Sequence, residues 1–240
     1  MWRLLVLRET DPYRNVALEE VLLRAVEEGS SPDTLRFWRN TRSAVIGWSQ
    51  RPGEVLNLEK CLLFGVSVVR RFTGGGAVYQ DLGNLNWTFI CRRDSAPLRG
   101  VRGARRIFER FSSPVLEALR GLGVKAEFRA PNAICLGGGK VSGMAMYIKR
   151  RSILCHGTLL IDSDLYLLKL VLSWLKDSVT NLNDEAPSRV SVEGVMEAIL
   201  EASERCLDIS FVEEGLSIFE EEQLKDHPPQ RYDPLRLRGG

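Results

Sequence analysis

The chain has 240 residues, of which 44% are hydrophobic and 27% are charged, and these values are typical of a soluble globular domain with one substantial core. They exclude a disordered or collagen-like chain. Lys and Arg number 33 against 31 for Asp and Glu, so the net charge of +2 gives no reason to expect a nucleic acid or an acidic membrane as partner. The N-terminal apolar stretch is far shorter than the roughly 18 residues of a membrane span and lacks a signal-peptide pattern, which predicts a cytoplasmic protein.

The cysteine and histidine contents restrict the chemistry. The five cysteines are odd in number and lack C-x-x-C spacing, which argues against a disulfide framework and against a structural zinc site. Two histidines are present, His156 and His227, so a histidine-rich metal centre is excluded. A nucleophilic scheme with a histidine base would depend on His156, and no metal site built from protein side chains is predicted.

The N-terminal half predicts a strand, a helix, a run of short strands and a second helix. Residues 2–8 form the first strand, and a helix follows that begins at Asp11 or Asn15 and ends at Gly29. Short runs rich in aromatic and β-branched residues predict strands at 35–38, 44–46, 66–71, 77–79 and 85–91. Apolar residues at helical spacing predict the second helix over 107–119.

The C-terminal half predicts further strands and helices. The strands lie at 126–129, 133–136, 141–148 and 151–161. Helices at 165–175 and 192–206 precede a strand and a short helix after Asp208. Because consecutive short strands favour antiparallel pairing, we predict the α+β class, with one mostly antiparallel sheet and packed helices. No repeat or linker marks a boundary, so we expect a single domain over 1–240 that ends in a short helix and tail from about 213.

The most informative segment is a glycine-rich loop between two strands, Arg70 to Asp81. Its three consecutive glycines permit unusual backbone angles and close approach of a ligand. Because a strand and not a helix follows, the loop cannot use a helix N-terminus to bind phosphate, so positive charge must come from side chains. Arg70 and Arg71 supply it, and their neighbouring positions on a strand allow at most one of them to enter a given site. The alternative is a simple glycine-rich hairpin with a solvated basic pair.

A second glycine-rich segment, Gly137 to Gly143, contains Lys140. It differs from a P-loop because Val141 stands where that motif requires Ser or Thr. A lysine after glycines is usually a turn residue. The functional hypothesis is that Lys140 places a compact cation on a carboxylate and a phosphate at once, which requires adjacent backbone without side chains.

Taken together, these segments resemble the lipoate-protein ligase A family over most of the chain. The matching blocks are Asn15–Glu20, Leu35–Asn40 with Val45–Gly47 and Gln50, Arg70–Asn84, Asn132 with Lys140–Gly143, His156–Leu160, and Val179–Leu182. The resemblance implies the biotin and lipoate ligase catalytic fold, which is related to class II aminoacyl-tRNA synthetases. It also implies an enzyme that activates lipoate or octanoate with ATP to an acyl-adenylate and transfers the acyl group to a protein lysine.

The resemblance further implies the ligands and partners. Mg²⁺ would bind mainly through the phosphates of ATP. The acceptors would be lipoyl domains of 2-oxoacid dehydrogenase acyltransferase subunits and the glycine cleavage H protein. An apolar slot would hold the acyl tail, and such a slot discriminates weakly between lipoate and octanoate.

The resemblance implies roles for individual residues, which are assigned by matching each position of this sequence to the family pattern. Lys140 corresponds to the central lysine, the implied catalytic residue, and Arg71 to the arginine beside the acyl group. The other implied ATP or acyl-adenylate residues are Gly75, Gly76, Ala77, Val78, Tyr79 and Asn132. The implied acyl-binding residues are Arg71, Gly76, Lys140, His156 and Gly157.

Departures from the family pattern leave alternatives open. Gln80 stands where the family usually has His, and it cannot carry a proton. The chain shows no counterpart of the small C-terminal domain of bacterial ligases. Either a separate accessory subunit supplies the equivalent of that domain, or the chain performs only part of the reaction. The first alternative is an ATP-independent octanoyl or lipoyl transferase that forms a thioester on a cysteine, although Cys135 and Cys155 lie nearer to Lys140 in the sequence than the nucleophile of those relatives does. A second is a non-catalytic acyl-binding paralogue. Biotin ligation is disfavoured because the basic glycine loop of biotin ligases is absent.

The last six residues, Leu235 to Gly240, have the sequence of a ubiquitin tail. Nothing upstream resembles a ubiquitin fold, so coincidence in a frayed terminus is the expectation.

Overall fold

The fold is described from a computed structural model that covers residues 1–173, 175 and 178–235. The strands are β1 (Trp2–Val6), β2 (Thr34–Trp38), β3 (Ser43–Ile46), β4 (Ser67–Arg70), β5 (Val78–Gln80), β6 (Asn84–Arg92), β7 (Ala126–Arg129), β8 (Ala133–Leu136), β9 (Gly139–Ile148), β10 (Ser152–Leu160) and β11 (Phe211–Glu213). The helices are α1 (Pro12–Glu28), α2 (Pro52–Val55), α3 (Leu58–Leu63), α4 (Ala104–Gly121), α5 (Leu165–Val171), α6 (Leu182–Glu185), α7 (Val192–Leu207) and α8 (Ile218–Lys225), with 3₁₀ turns at Ala96–Leu98 and Pro229–Tyr232.

The strands form two sheets. The large sheet has the order β11-β1-β2-β6-β10-β9-β8-β7, in which β11, β1 and β2 run parallel and every pairing from β2 to β7 is antiparallel. The small sheet has the order β4-β3-β5, with β4 parallel and β5 antiparallel to β3. The α+β class and the mostly antiparallel pairing are confirmed.

One expectation about the sheet was wrong. We predicted a single sheet, but β3, β4 and β5 form their own. A parallel neighbour requires a crossover connection, and the short helices α2 and α3 provide it between β3 and β4. Neither helix is evident in the sequence, because each is too short to show helical periodicity.

Helix α1 covers one face of the large sheet. Its start is fixed by Asp11, whose side chain accepts a hydrogen bond from the Arg14 amide at 2.8 Å, and it ends at Gly29 with φ 79°. Its apolar side chains pack with Leu5, Ile90 and Leu154. The predicted helix boundaries are therefore confirmed.

Helices α4 and α7 cover the opposite face. Phe111 of α4 stacks on Phe89 of β6 with ring centroids 5.0 Å apart, and Ile199 of α7 joins the same apolar cluster. Adjacent residues of a strand point to opposite faces, and Phe89 and Ile90 accordingly belong to different clusters. The large sheet thus separates two apolar layers.

The C-terminal segment returns to the N-terminal strand. Arg3 of β1 forms a bidentate ion pair with Glu220 of α8, with N–O distances of 2.8 and 2.7 Å, and both side chains are almost fully buried. The short C-terminal helix is thus present. The helix predicted over 165–175 ends at Val171, because Leu172 forms an isolated bridge with Leu56.

In the described ranges no helix is both long enough and apolar enough to cross a membrane. The ubiquitin-like tail, from residue 236 onward, lies outside the described residues.

Candidate functional site

Two adjoining cavities are each lined by residues of the small sheet and of the large sheet. The inner cavity has an empty volume of about 690 Å³, including its solvent-open part, and its apolar wall includes Val16, Trp38, Val45, Phe72 and Met144. The outer cavity, of about 1420 Å³ by the same measure, has an apolar wall that includes Val55, Leu160, Leu168, Leu172 and Val179. The arrangement offers a narrow apolar slot that leads into a wider cleft.

All of the predicted site residues line these cavities. Arg71, Gly75, His156 and Gly157 line the inner cavity, and Tyr79 lines the outer one. Five of the predicted residues line both cavities, namely Gly76, Ala77, Val78, Asn132 and Lys140. The lysine and the first glycine-rich loop therefore lie at the junction of slot and cleft.

Arg71 fixes the conformation of the first glycine-rich loop through hydrogen bonds. Its guanidinium donates to the carbonyl oxygens of Gly74 at 2.7 Å, Gly76 at 2.9 Å and Val45 at 3.1 Å, and its Nε donates to the Thr73 hydroxyl at 3.0 Å. Burial lowers the pKa of Arg71 to about 10, so the side chain remains charged at neutral pH. As predicted, the two neighbouring arginines separate, because Arg70 instead donates to the backbone carbonyls of residues 47, 48 and 50.

Close backbone packing explains two glycines of this site. Gly75 has φ 93°, a conformation that disfavours a side chain. A Cβ built on Gly47, at the end of β3, would lie 2.3 Å from the Gly75 carbonyl oxygen. The loop thus rests directly on the backbone that follows β3, and it is a wall of the site and not a solvated hairpin.

The second glycine-rich segment works differently from the expectation. Gly137 and Gly138, with φ 50° and 87°, form a two-residue turn between β8 and β9, and neither lines a cavity. The bare backbone beside Lys140 is Gly143, where a Cβ would lie 3.1 Å from the lysine Cε and 3.3 Å from its Nζ. Lys140 thus lies beside glycine backbone, but the glycine is Gly143, three residues later, and not one of the glycines that precede the lysine.

A β-bulge brings Lys140 and Gly143 to the same face. Ile134 pairs with Ser142 while Cys135 pairs with Lys140, so one extra residue, Val141, is inserted in β9. Without that insertion, residues three apart on a strand would face opposite sides of the sheet. The Lys140 backbone is also fixed by hydrogen bonds to Ser178 and Thr180, at 2.7 and 3.2 Å.

A buried network of hydrogen bonds and ion pairs lies behind the first glycine-rich loop. The Thr73 hydroxyl is 2.9 Å from His156 Nε2, and His156 Nδ1 is 2.5 Å from a carboxylate oxygen of Glu19. The other Glu19 oxygen accepts from Thr88 at 2.5 Å and lies 3.8 Å from the Arg36 guanidinium. Burial alone would raise the pKa of Glu19, but His156, Arg36 and Thr88 outweigh it and hold that pKa below its ordinary value.

Gln80 and Asn132 are both held by hydrogen bonds. The Gln80 side chain accepts from Asn40 at 2.7 Å and donates to Asn86 at 2.7 Å, so it occupies its position as a buried amide. Asn132 donates to the Met144 carbonyl at 2.5 Å and accepts from the Met144 amide through its own carbonyl at 2.9 Å. Asn132 is thus tied to the strand that carries Lys140.

The cysteines do not form part of the site. All five are within the described residues, and none lines either cavity. Cys155 lies on the face of β10 opposite to His156, and burial raises the pKa of its thiol well above the ordinary value. Cys135 is also buried. Neither thiol is therefore placed to act as a thioester nucleophile in these cavities.

Several site residues were not predicted from the sequence. Glu19, Trp38, Asn86, Gly143 and Thr158 all line the inner cavity, although most lie within blocks that carry the family resemblance. The polar residues 84, 86 and 88 alternate with apolar residues on β6, and that alternation indicates a polar face on a buried strand. The described residues contain no group of three or more His, Cys, Asp or Glu side chains arranged to hold a metal.

Comparison with known families gives one match over most of the chain. The model of the lipoyl protein ligase A/B catalytic domain matches residues 11–204. Lipoate–protein ligase 1 of Staphylococcus aureus is 34% identical over 186 residues, which are 78% of this chain and 51% of that protein. The chain spans about half the length of this and of other curated relatives that it matches.

Solved structures share the fold. A Thermoplasma acidophilum protein assigned as a lipoate protein ligase, with bound lipoic acid, has a TM-score of 0.82 at 30% identity, with 93% of both chains covered. A lipoate-protein ligase A structure with bound ATP has a TM-score of 0.83 at 30% identity, covering 93% of this chain and 92% of that chain. The bipartite lipoate protein ligase of T. acidophilum, studied with its E2 lipoyl domain, gives 0.86 at 27% identity, covering 99% and 98%.

Proposed function

Because the chain belongs to the lipoyl protein ligase A/B catalytic domain family, we propose that it is a lipoate-protein ligase whose single catalytic domain spans residues 1–240. A carboxylate oxygen of lipoate or octanoate attacks the α-phosphate of ATP, and pyrophosphate leaves as the acyl-adenylate forms. A lysine amine of an acceptor protein then attacks the acyl carbon, and AMP leaves as the amide forms.

The observation that carries this proposal is the position of Lys140. It lines both cavities, together with the backbone of the first glycine-rich loop, at the point where a narrow apolar slot opens into a wider cleft. A mixed anhydride of a fatty acid and AMP has this shape: an apolar tail, a charged centre and a nucleotide. An ammonium group and backbone amides at the charged centre stabilise the charge that develops there.

The two cavities receive different parts of the intermediate. The inner cavity takes the acyl tail, and burying about seven methylene-like groups contributes roughly 5 kcal/mol before ordering costs. The outer cavity takes the nucleotide. The mixed anhydride group is enclosed by Gly75, Gly76, Ala77 and Val78. The AMP part of the intermediate is contacted by Tyr79 and Asn132. His156 and Gly157 bound the acyl slot.

Arg71 has a supporting role in this scheme. Because at least four of its hydrogen bonds go to the loop and to β3, it holds the loop in shape and adds positive charge near the acyl group. Mg²⁺ enters with ATP through the phosphates, as the hard cation usually does, and requires no dedicated cage of carboxylates.

The partners follow from the relatives of the chain. A separate accessory subunit acts with it, and the bipartite T. acidophilum ligase, of which 98% is covered, supports this arrangement. The acceptors are lipoyl domains of 2-oxoacid dehydrogenase acyltransferase subunits, with the glycine cleavage H protein as a further acceptor, in the cytoplasm. The positions of the cysteines argue against the transferase alternative.

The test is lipoate-dependent exchange of pyrophosphate into ATP, with and without a candidate accessory subunit. We expect exchange by the wild-type chain, and Lys140→Ala to lower it by about 100-fold or more. Absence of exchange under all partner conditions, combined with ATP-independent acyl transfer that one cysteine substitution abolishes, would replace the ligase with a transferase. Tight binding of acyl-adenylate without any turnover would indicate a non-catalytic paralogue.

A further inference from the structure

A chain of buried side-chain amides leads from Arg36 to the inner cavity. It begins at Asn15, whose Oδ1 accepts from the Arg36 guanidinium at 2.5 Å and whose Nδ2 donates to the carbonyls of Glu9 and Arg39 at 3.1 and 3.0 Å. A guanidinium has donors only and a carbonyl accepts only. The orientation of the Asn15 amide is therefore fixed at this end of the chain.

The fixed orientation passes from one amide to the next. Asn15 Nδ2 donates to Asn40 Oδ1 at 2.9 Å, and Asn40 Nδ2 donates to Gln80 Oε1 at 2.7 Å. Gln80 Nε2 then donates to Asn86 Oδ1 at 2.7 Å. Each amide must present its oxygen to the preceding donor, so all four point the same way and polarise one another.

The last amide ends the chain without a partner. The Asn86 oxygen accepts from both Gln80 and Asn84, at 2.7 and 3.1 Å, while Asn86 Nδ2 is buried and has no hydrogen-bond partner within the described residues. Asn86 is only 1% exposed, and it lines the inner cavity. Buried donors are nearly always satisfied, so an orphaned amide at a cavity wall calls for an acceptor from outside the chain.

Asn86 is connected to Lys140 through Thr158 and Gly143. It pairs with Thr158 across β6 and β10, and the Thr158 hydroxyl accepts from the Gly143 amide at 3.3 Å. Gly143 in turn lies beside the Lys140 ammonium. Asn86, Thr158, Gly143 and Lys140 all line the inner cavity. An amide donor and a cation are thus available to one ligand group.

We propose that Asn86 is a substrate-binding residue whose Nδ2 donates a hydrogen bond to the carboxylate oxygen of the acyl substrate, and to the acyl carbonyl oxygen after adenylation, opposite Lys140. Asn15, Asn40 and Gln80 are positioning residues that keep the Asn86 donor directed at the substrate. This role rests on the proposed function, because it assigns the acyl group to the inner cavity.

The amide chain also explains why a glutamine suits position 80. The position requires one acceptor, toward Asn40, and one donor, toward Asn86. A neutral imidazole offers the same pair of groups, whereas a carboxylate offers acceptors only. With a carboxylate there, Asn86 would turn its Nδ2 toward position 80 and its oxygen toward the substrate.

The first experiment measures binding of lipoate, and of preformed lipoyl-AMP, by calorimetry to wild type and to Asn86→Asp. The variant has nearly the same shape but lacks the donor, and we expect its affinity for both ligands to fall tenfold or more, with the KM for ATP unchanged. Asn57→Asp is the matched control. It makes the same change at the α3 N-cap, where the exposed Asn57 accepts from the Lys60 amide and lines neither cavity, so it should bind as wild type does.

The second experiment tests the positioning role without altering Asn86. Gln80→Glu should lower the affinity for lipoate tenfold or more. The separate variant Gln80→His should bind lipoate within about threefold of the wild-type affinity. A merely structural role for position 80 would lower the melting temperature in both variants without separating their affinities. Melting curves recorded with the same samples identify any variant that fails to fold. If Gln80→Glu fails to fold, the affinity of Gln80→His is compared with that of wild type.

The outcomes separate the two proposals. If wild type binds lipoate but makes no adenylate, the ligase assignment fails while a weakened Asn86→Asp still supports the binding role. If wild type ligates and Asn86→Asp binds both ligands equally well, the binding role fails and the ligase stands. A wild-type chain that binds neither ligand overturns both.

Discussion

The two glycine-rich segments look alike in the sequence but differ in what their glycines do. In the first, Gly75 and Gly76 are themselves part of the cavity wall, and Arg71 holds their carbonyl groups from behind. In the second, Gly137 and Gly138 turn the chain outside the cavities. Their function is to start β9 at the register that presents Lys140.

The two segments are held in position by different means, the first by side-chain interactions and the second by backbone geometry. The first segment is fixed by buried charged and polar groups, which tolerate little change because each unpaired group would be costly. The second is fixed by a hairpin turn and a β-bulge, which are backbone features. Substitutions in the two segments should therefore have different consequences.

Among substitutions that leave Lys140 itself unchanged, Gly47→Ala should have the largest effect. The new Cβ would lie 2.3 Å from the Gly75 carbonyl oxygen, and since that atom belongs to backbone, the whole loop must move. We expect pyrophosphate exchange to fall about 100-fold, as displacement of a binding loop by about 1 Å commonly does. The control is Gly53→Ala, which meets no atom within 4 Å. Equal activity of the two variants would contradict a rigid first loop.

Glu19→Gln tests the charged groups behind that loop. The variant keeps a similar shape but removes the charge that faces His156 and Arg36, and we expect the free energy of unfolding at pH 7 to fall by about 2 kcal/mol. Chemical denaturation monitored by circular dichroism would measure it.

The pH dependence of Glu19→Gln has a defined sign. The pKa of Glu19 is lowered in the folded protein from its ordinary value of 4.5. The stability that this shift contributes is present above that ordinary value and is lost as the pH falls through the lowered one. The stability difference between wild type and variant should narrow as the pH falls below about 4.5. A difference that widens in acid would contradict a lowered pKa.

Gly143→Ala should have a smaller effect. Its Cβ would meet the far end of the Lys140 side chain at 3.1 Å, and a flexible side chain can give way. Displacement of the ammonium group should lower pyrophosphate exchange about tenfold while the melting temperature stays near that of wild type. A wild-type rate would show that the lysine needs no bare backbone beside it.

The smallest expected effect is that of Gly138→Ala in the second segment. The residue has φ 87° and open space around it, so the substitution adds backbone strain and no clash. We expect about 1 kcal/mol lower stability and unchanged pyrophosphate exchange. Loss of activity without loss of stability would give these glycines a direct role in binding, and the contrast with the first segment would fail.

Much of the fold was predictable because local patterns report local structure. The capping residues Asp11 and Gly29 gave the limits of α1, and the runs of β-branched and aromatic residues gave nearly all strands. The helices α2, α3 and α6 were missed, since they are short, and the division into two sheets was missed with α2 and α3. A strand pattern specifies which residues are extended, but it does not specify the partner strand.

The sequence by itself determined the strands and the longer helices, indicated that the two glycine-rich segments and Lys140 form the site, and determined which family the chain resembles. These features depend on neighbours along the chain. The tertiary structure decided that Gly143 lies beside the lysine, that Glu19 and His156 support the first loop, and that four amides converge on Asn86. Each of these depends on contacts between residues distant in sequence, and hydrogen-bond direction is set by donors and acceptors that only folding brings together.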